Sequence, residues 1–190
     1  MTISPTCGIL TKNATRSDTV EKTIKTARLK LRPLSPSDLE TTHQYASDVE
    51  NCKYMINLPN RDLVETKAFL SCAEIEWLMD KPEFYEYAIC LDGKHIGAVS
   101  LTLVGDGIGE IGWILHKDYH GKGYATEAAI EIVKLARRLS LSKVIAHCDI
   151  RNVRSRLLME RLGMRFVEES PRYYTDNRGS SFEMKYELIL

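Results

Sequence analysis

The segment HGKGYATEA, residues 120–128, follows an apolar run and opens an amphipathic pattern of helical period. This order predicts a strand, a glycine turn and the start of a helix. Two glycines separated by one residue allow main-chain N–H groups to point at a common centre, and the helix adds unpaired amides and the positive end of its dipole. The segment therefore predicts a binding site for a pyrophosphate.

Two common nucleotide motifs do not fit the sequence. A Walker loop requires a hydroxyl residue after its lysine to hold Mg²⁺, but Lys122 is followed by Gly123 and Tyr124. The pattern G-x-G-x-x-G occurs at Gly107, yet a strand-like run follows it where a dinucleotide site needs a helix. We interpret it as a hairpin and the start of a strand. The remaining possibility is a ligand such as coenzyme A, whose pyrophosphate would lie on the helix start while its other arm runs beside the preceding strand.

The sequence resembles the GNAT N-acetyltransferases in three separated segments. Residues 120–125 match the family pattern [QR]-x-x-G-x-[GA], except that His120 stands where Gln or Arg is usual. Residues 152–155 and 160–164 resemble the N-x-x-S, E-[KR]-x-G-[FM] ending of the RimJ and RimL branch, the ribosomal-protein N-terminal acetyltransferases, and residues 27–34 resemble its first strand. The resemblance covers roughly residues 26–188 and implies an acetyl-CoA-dependent N-acetyltransferase.

Periodicity and turn signals predict mixed strands and helices, which suit a three-layer α/β domain. Helices are expected at residues 35–48, 62–80, 125–139 and 152–162, and strands at 27–34, 85–91, 95–104, 108–116, 143–148, 164–168 and 181–188. The resemblance implies a single GNAT-like domain with a central mixed, mostly antiparallel, twisted sheet flanked by helices. We expect residues 1–25 to form a loose tail and residues 26–190 the acetyltransferase domain.

Composition excludes several classes of function. The 190 residues carry 26 basic and 26 acidic side chains, so the neutral total gives little attraction to nucleic acid. No apolar run approaches the roughly 20 residues that span a bilayer. Five cysteines lack metal-ligand spacing, and glycines break any helix that would pair His116 with His120, so no metal site is expected. We expect a soluble, cytoplasmic monomer or homodimer without nucleic-acid or membrane partners.

The reaction that the resemblance implies requires a base, because an amine attacks only in its uncharged form. The pKa is about 8 for an α-amino group and about 10.4 for lysine, a difference worth roughly 3 kcal/mol. Glu110 lies on the strand that leads to the glycine turn and is the candidate base; the family places a glutamate here too. The alternative is a solvated carboxylate at a strand edge. Glu127, in the first helical turn, more simply complements the helix dipole.

The remaining site residues would contact the thioester and the leaving thiol. Main-chain N–H groups from Ile114 through Leu115 to His116 would polarise the carbonyl. Many relatives use a tyrosine to protonate the thiolate; Met159 takes its place here, so the resemblance assigns that role to Ser155. Asn152 would fix the pantetheine arm or the helix start, and the alternative is that Asn152 is only an N-cap and Ser155 only its neighbour. The predicted coenzyme A contacts are completed by His120, Gly121, Lys122, Gly123, Tyr124, Ala125 and Thr126.

The sequence does not choose the acceptor. We favour the N-terminal α-amino group of a protein or peptide, and a small amine such as an antibiotic, an aminoacyl compound or a polyamine stays open. A module that binds acetyl-CoA without turnover is the third possibility. Six aromatic residues are considered for the acceptor pocket, with burial in the core as the alternative: Tyr54, Trp77, Phe84, Tyr85, Tyr173 and Tyr174.

Overall fold

The structure, a computed structural model, describes residues 20–175 and 179–190. Within these ranges eight strands form one sheet in the order β1-β2-β3-β4-β5-β6-β8-β7. Neighbouring strands are antiparallel except β5 and β6, which are parallel. The strands are β1 Ile24–Lys25, β2 Leu29–Pro33, β3 Phe84–Leu91, β4 Lys94–Leu103, β5 Ile108–Leu115, β6 Lys143–Asp149, β7 Arg165–Tyr173 and β8 Ser180–Ile189.

Helices cover both faces of this sheet. The helices are α1 Leu39–Ala46, α2 Val49–Cys52, α3 Leu63–Leu78, α4 Tyr124–Arg138 and α5 Val153–Arg161. Leu70 of α3 packs with Ala88 and Ala98 of the sheet, whereas Ile132 of α4 and Leu158 of α5 belong to the large core on the opposite side. We call these the α1/α3 face and the α4/α5 face. The three-layer α/β fold with a mixed, mostly antiparallel sheet is confirmed.

The predicted elements are observed with small changes of boundary. Two short elements, β1 and α2, were not predicted, because two and four residues are too few to show a period. β7 extends to Tyr173, beyond the predicted end at 168, and is an edge strand with a mostly exposed, polar sequence. Of the predicted tail, residues 1–19 lie outside the described residues, whereas Ile24 is 5% exposed and pairs with Leu31 of β2.

Candidate active site

A gap opens inside the sheet between the two parallel strands. β5 and β6 pair at only three positions, the last of which joins Glu110 to Ile145. β5 continues to Leu115 and β6 to Asp149 without further pairing between them. The strands therefore separate beyond Glu110. Because α4 follows β5 and α5 follows β6, the starts of both helices lie close to this gap.

Alternate main-chain groups of β5 face the gap. The N–H of His116 donates to the carbonyl of Ile96 of the neighbouring strand at 2.9 Å. N–H groups of successive residues in an antiparallel strand point to opposite edges of the strand. The N–H of Ile114 therefore also points to β4, and the N–H of Leu115 points into the gap. The predicted role of the His116 amide is therefore wrong, and the same alternation removes that of Ile114. The N–H of Leu115 keeps the predicted orientation.

The glycine turn has the geometry of an anion site. Gly121 and Gly123 have φ values of 76° and 81°, in the left-handed region, and Gly123 is the N-cap of α4. For the main-chain N–H groups of residues 121–126 no acceptor is found in the described part of the chain. A Cβ at Gly121 would meet nothing within 4 Å, so the turn is open on that side. Unpaired N–H groups at the start of a fifteen-residue helix fit a pyrophosphate.

The side chains of the turn serve mainly to hold it. Lys122 Nζ donates to the main-chain oxygen of Asp118 at 3.0 Å. The ring of Tyr124 lies 4.6 Å from the guanidinium carbon of Arg28, and Ala125 packs against the core of the α4/α5 face. Thr126 is partly buried in the first turn of the helix. The main chain, more than these side chains, is available to bind phosphate.

His120 connects the end of β5 to α5. Its Nε2 lies 3.0 Å from the carbonyl oxygen of Leu115, and its Nδ1 lies 3.0 Å from Nη1 of Arg154. A carbonyl oxygen only accepts and a guanidinium only donates, so both bonds form when the imidazole is neutral with its proton on Nε2. His120 therefore holds together two elements that border the gap.

Glu127 ties the N-terminal strand segment to the glycine turn. Its carboxylate accepts from Thr26 Oγ1 at 2.5 Å, from the N–H of Arg28 at 2.9 Å and from Arg28 Nε at 2.7 Å. Burial opposes the charge, but these hydrogen bonds outweigh it and lower the pKa of Glu127. Arg28 Nη1 also donates to the carbonyl of Lys122 at 3.0 Å. Arg28 was not predicted as a site residue, although it lies in the segment that resembles the family.

Ser155 lies at the start of α5 in contact with β5. Trp113 Nε1 donates to Ser155 Oγ at 3.3 Å, which leaves the hydroxyl proton of Ser155 for another acceptor. Asn152 is the N-cap of α5, and its Oδ1 accepts from the N–H of Ser155 at 3.2 Å. Capping, one of the two alternatives for Asn152, is therefore observed. Trp113 was missed as a partner because a strand residue gives no signal of a contact 42 positions away.

Glu110 forms a pair that the sequence did not indicate. Its Oε1 lies 3.0 Å from Nδ1 of His147 on β6, and the two side chains are 30% and 24% exposed. A carboxylate accepts, so Nδ1 of His147 carries a proton, and Nε2 is an acceptor in the neutral form of the imidazole. The pair stands at the last contact between β5 and β6, where the gap begins. Glu110 is thus hydrogen-bonded at the gap rather than being only a solvated strand-edge carboxylate.

The α1/α3 face is partly open next to this pair. Five partly exposed residues of β4 and β5 form what we call the open strip: Ser100, Thr102, Glu110, Gly112 and Ile114. Residues of β5 that point to the other face, such as Ile111 and Leu115, are buried under α4. The open strip therefore gives access to the gap from the side opposite α4.

Two of the aromatic residues considered for an acceptor pocket are core residues. Trp77 and Tyr85 are 6% and 3% exposed and pack edge to face with ring centroids 5.6 Å apart. Tyr54 is partly exposed, and the guanidinium carbon of Arg151 lies 5.7 Å from its ring centroid. Tyr174 donates its hydroxyl proton to the buried carboxylate of Asp149. Tyr174 is itself buried, at 8% exposed, so Tyr54 remains the candidate of these four for the acceptor side.

Comparison with known proteins places this architecture in a family. Residues 28–165 match the family model described as Acetyltransferase (GNAT) domain. The chain is 32% identical over 145 residues to the uncharacterized N-acetyltransferase YnaD of Bacillus subtilis (strain 168), which covers 75% of this chain and 82% of that protein. The chain therefore belongs to the GNAT acetyltransferases, as the sequence predicted.

Solved structures share the same fold. An acetyltransferase of the GNAT family from Bacillus anthracis matches with a TM-score of 0.75 and 26% identity, covering 88% of this chain and 98% of that chain. RimL, a ribosomal L7/L12 alpha-N-protein acetyltransferase solved with coenzyme A, matches with a TM-score of 0.72 and 17% identity, covering 87% and 96%. The enzyme class, an N-acetyltransferase that uses acetyl-CoA, follows from the family, and the unpaired amides of residues 121–126 fit that ligand.

Two further observations concern residues 20–175 and 179–190. No group of three or more His, Cys, Asp or Glu side chains in these ranges is arranged to hold a metal ion. No helix in the same ranges combines the length and the apolar composition needed to cross a membrane.

Proposed function

We propose that the protein transfers the acetyl group of acetyl-CoA to the N-terminal α-amino group of a protein or peptide by direct attack. The observation that carries this proposal is the convergence at one gap of the unpaired amides of the glycine turn, the inward N–H of Leu115, the hydroxyl of Ser155 and the Glu110–His147 pair. Acetyl-CoA supplies the activated acetyl group, and the residues around the gap supply orientation and proton transfer.

The base in this proposal is the Glu110–His147 pair. Glu110 fixes the imidazole of His147 so that Nε2 accepts a proton from the attacking ammonium, directly or through one water. Such a pair suits an α-amino group better than a lysine side chain, because the lower pKa of the α-amine reduces the cost of deprotonation by roughly 3 kcal/mol. This difference supports an N-terminal acceptor.

The other two roles belong to the walls of the gap. The N–H of Leu115 donates to the carbonyl oxygen as negative charge develops on it. Ser155 passes its hydroxyl proton to the departing sulfur as it takes up the proton that the attacking nitrogen loses when the amide forms, while the indole of Trp113 donates to Ser155 Oγ. That indole hydrogen bond orients the Ser155 hydroxyl, because it occupies one acceptor position of Oγ and leaves the hydroxyl proton to point elsewhere.

Direct attack is favoured over a covalent acetyl-enzyme. The cysteine nearest to the pair in sequence, Cys148, points to the α4/α5 face and is 3% exposed. Burial raises the pKa of Cys148 to about 11, so the thiol stays protonated at neutral pH and is a poor nucleophile. The acetyl group therefore passes straight to the amine.

The second candidate is the same chemistry on a small amine that carries more than one positive charge. Glu86, a buried carboxylate at the border of the open strip, favours it.

The test is thiol release from acetyl-CoA with a panel of N-terminal peptides, polyamines and aminoglycoside-like amines, with calorimetric binding of coenzyme A beside it. Acetylation of the peptides, identified by mass spectrometry, would support the proposal. Release with small amines alone would replace it by the second candidate. Tight binding of coenzyme A without release from any acceptor would contradict both in favour of a binding module.

A further inference from the structure

Glu86 carries a buried carboxylate without a counter-charge. It lies on β3, is 7% exposed, and no hydrogen-bond or ion-pair partner for its side chain is found among residues 20–175 and 179–190. Only its main-chain oxygen is used, by Trp77 Nε1 at 2.9 Å and the N–H of Leu34 at 3.0 Å. Burial raises the pKa of Glu86 to about 8. An unpaired carboxylate in such a place is unfavourable, so the Glu86 side chain is mostly protonated at neutral pH until a cation pairs with it.

The chain's own cations near this face are committed elsewhere. Arg32 of β2 forms a two-pronged pair with Asp38, with N···O distances of 2.7 and 2.6 Å. Ala88, two residues along β3, is apolar and buried. Burial raises the pKa of the Tyr45 phenol of α1, and a charge on the nearby Glu86 carboxylate raises it further, so Tyr45 supplies no counter-charge.

A row across the sheet leads from Glu86 to the gap. Glu86 is opposite Ser100 of β4, and Ser100 is opposite Gly112 of β5. Gly112 lies two residues beyond Glu110, at which the pairing of β5 with β6 ends. Ser100 and Gly112 belong to the open strip, and a Cβ at Gly112 would come within 2.9 Å of Ser100 Oγ. The glycine therefore keeps the row clear between the gap and Glu86.

We propose that Glu86 is a specificity residue that binds a second positive charge of the acceptor, about 12 Å from the amine that is acetylated. The distance is made up of two strand spacings of about 4.8 Å each from β3 to β5 and about half a spacing from β5 into the gap. An ammonium or guanidinium group at this position would supply the counter-charge that the fold lacks. The proposal rests on the proposed acetyl transfer and names the class of acceptor: an amine with a second cationic group at that separation.

Linear amines of matched length test the proposal. 1,8-Diaminooctane can reach both positions, 1-aminooctane lacks the second charge, and 1,4-diaminobutane is too short. Calorimetry with the coenzyme A-saturated protein measures binding without requiring turnover, and mass spectrometry measures acetylation. We expect Glu86→Gln to weaken binding of 1,8-diaminooctane by about 30-fold or more, as for other buried charge pairs that lose one member, and to leave 1-aminooctane unchanged. Two peptides that differ only in lysine or leucine as the second residue test whether the second charge comes from a peptide. Tighter binding of the lysine peptide would indicate a peptide, and equal binding of the two would indicate a diamine.

Controls separate specificity from folding and from the reaction. Glu169→Gln removes an exposed carboxylate of β7 outside the row, so it should not change the affinity for 1,8-diaminooctane or for 1-aminooctane. Glu86→Leu offers a second variant if Glu86→Gln unfolds, because an apolar residue suits the buried site. Equal binding of the diamine by wild type and both Glu86 variants would overturn the proposal while leaving acetyl transfer intact. Diamine binding that depends on Glu86, without acetylation of any amine, would support the Glu86 site and contradict the proposed function.

Discussion

Replacing Gly121 by alanine tests the glycine turn as the coenzyme A site. The residue has a φ of 76°, and an added Cβ would meet nothing within 4 Å, so the substitution introduces backbone strain without a clash. An L-residue in the left-handed region costs about 1–2 kcal/mol. If the turn relaxes when free and must return to this conformation to bind phosphate, the dissociation constant for coenzyme A rises by roughly 5- to 30-fold. Isothermal titration calorimetry measures this change.

Gly93→Ala is the matched control for that experiment. Gly93 has a φ of 81° in the turn between β3 and β4, and a Cβ there would also meet nothing within 4 Å. Gly93→Ala keeps its strain with or without ligand, so it should lose free energy of unfolding and bind coenzyme A as wild type does. The Gly121 turn relaxes in the free protein, so Gly121→Ala should lose less free energy of unfolding and bind coenzyme A more weakly. The reasoning is refuted if both variants bind coenzyme A as wild type does, or if both lose the same affinity.

Three further substitutions test the roles around the gap. Ser155→Ala should lower kcat about tenfold or more while the calorimetric affinity for coenzyme A changes little; an unchanged kcat would remove Ser155 as the proton donor. Glu110→Gln should lower kcat by about 10²–10⁴-fold and flatten the rise of rate with pH, because a neutral amide does not stabilise the imidazolium that forms when His147 takes up a proton; a wild-type pH profile would contradict this. Glu127→Gln should lower the free energy of unfolding by about 2 kcal/mol. Since hydrogen bonds lower the pKa of Glu127 below its ordinary 4.5, this contribution is complete above pH 4.5 and is lost as the pH falls through the lowered value. Thermal unfolding of both proteins from pH 7 to pH 3 should therefore show converging stabilities, and a constant difference would count against the ion pair.

The glycine turn and the helix after it could be predicted because their signals are local. The φ values of Gly121 and Gly123, the cap at Gly123 and the buried stripe of α4 all depend on residues close in sequence. The same holds for Asn152, which caps the helix that it precedes. Local chemistry of this kind is present in a single sequence without knowledge of the fold.

The pairs at the site could not be predicted, because register decides them. Glu110 meets His147 only because β5 and β6 pair in parallel with Glu110 opposite Ile145. The amide of His116 is lost to the site because the β4–β5 ladder uses it. A change of register by one residue would turn each side chain to the other face. Such contacts depend on which residues the fold brings together, and this cannot be read from their positions in the sequence.

His120 differs from the family pattern in residue type, but its hydrogen bonds are ones that a residue of the usual type can also form. The position usually holds Gln or Arg, and here the neutral imidazole donates from Nε2 to Leu115 and accepts at Nδ1 from Arg154. A glutamine amide also offers one donor group and one acceptor, so it could join the same two partners. An arginine offers only donors and would place a second cation beside Arg154. The presence of Arg154 therefore favours a side chain that can accept, and histidine meets that requirement while still holding β5 to α5 across the gap.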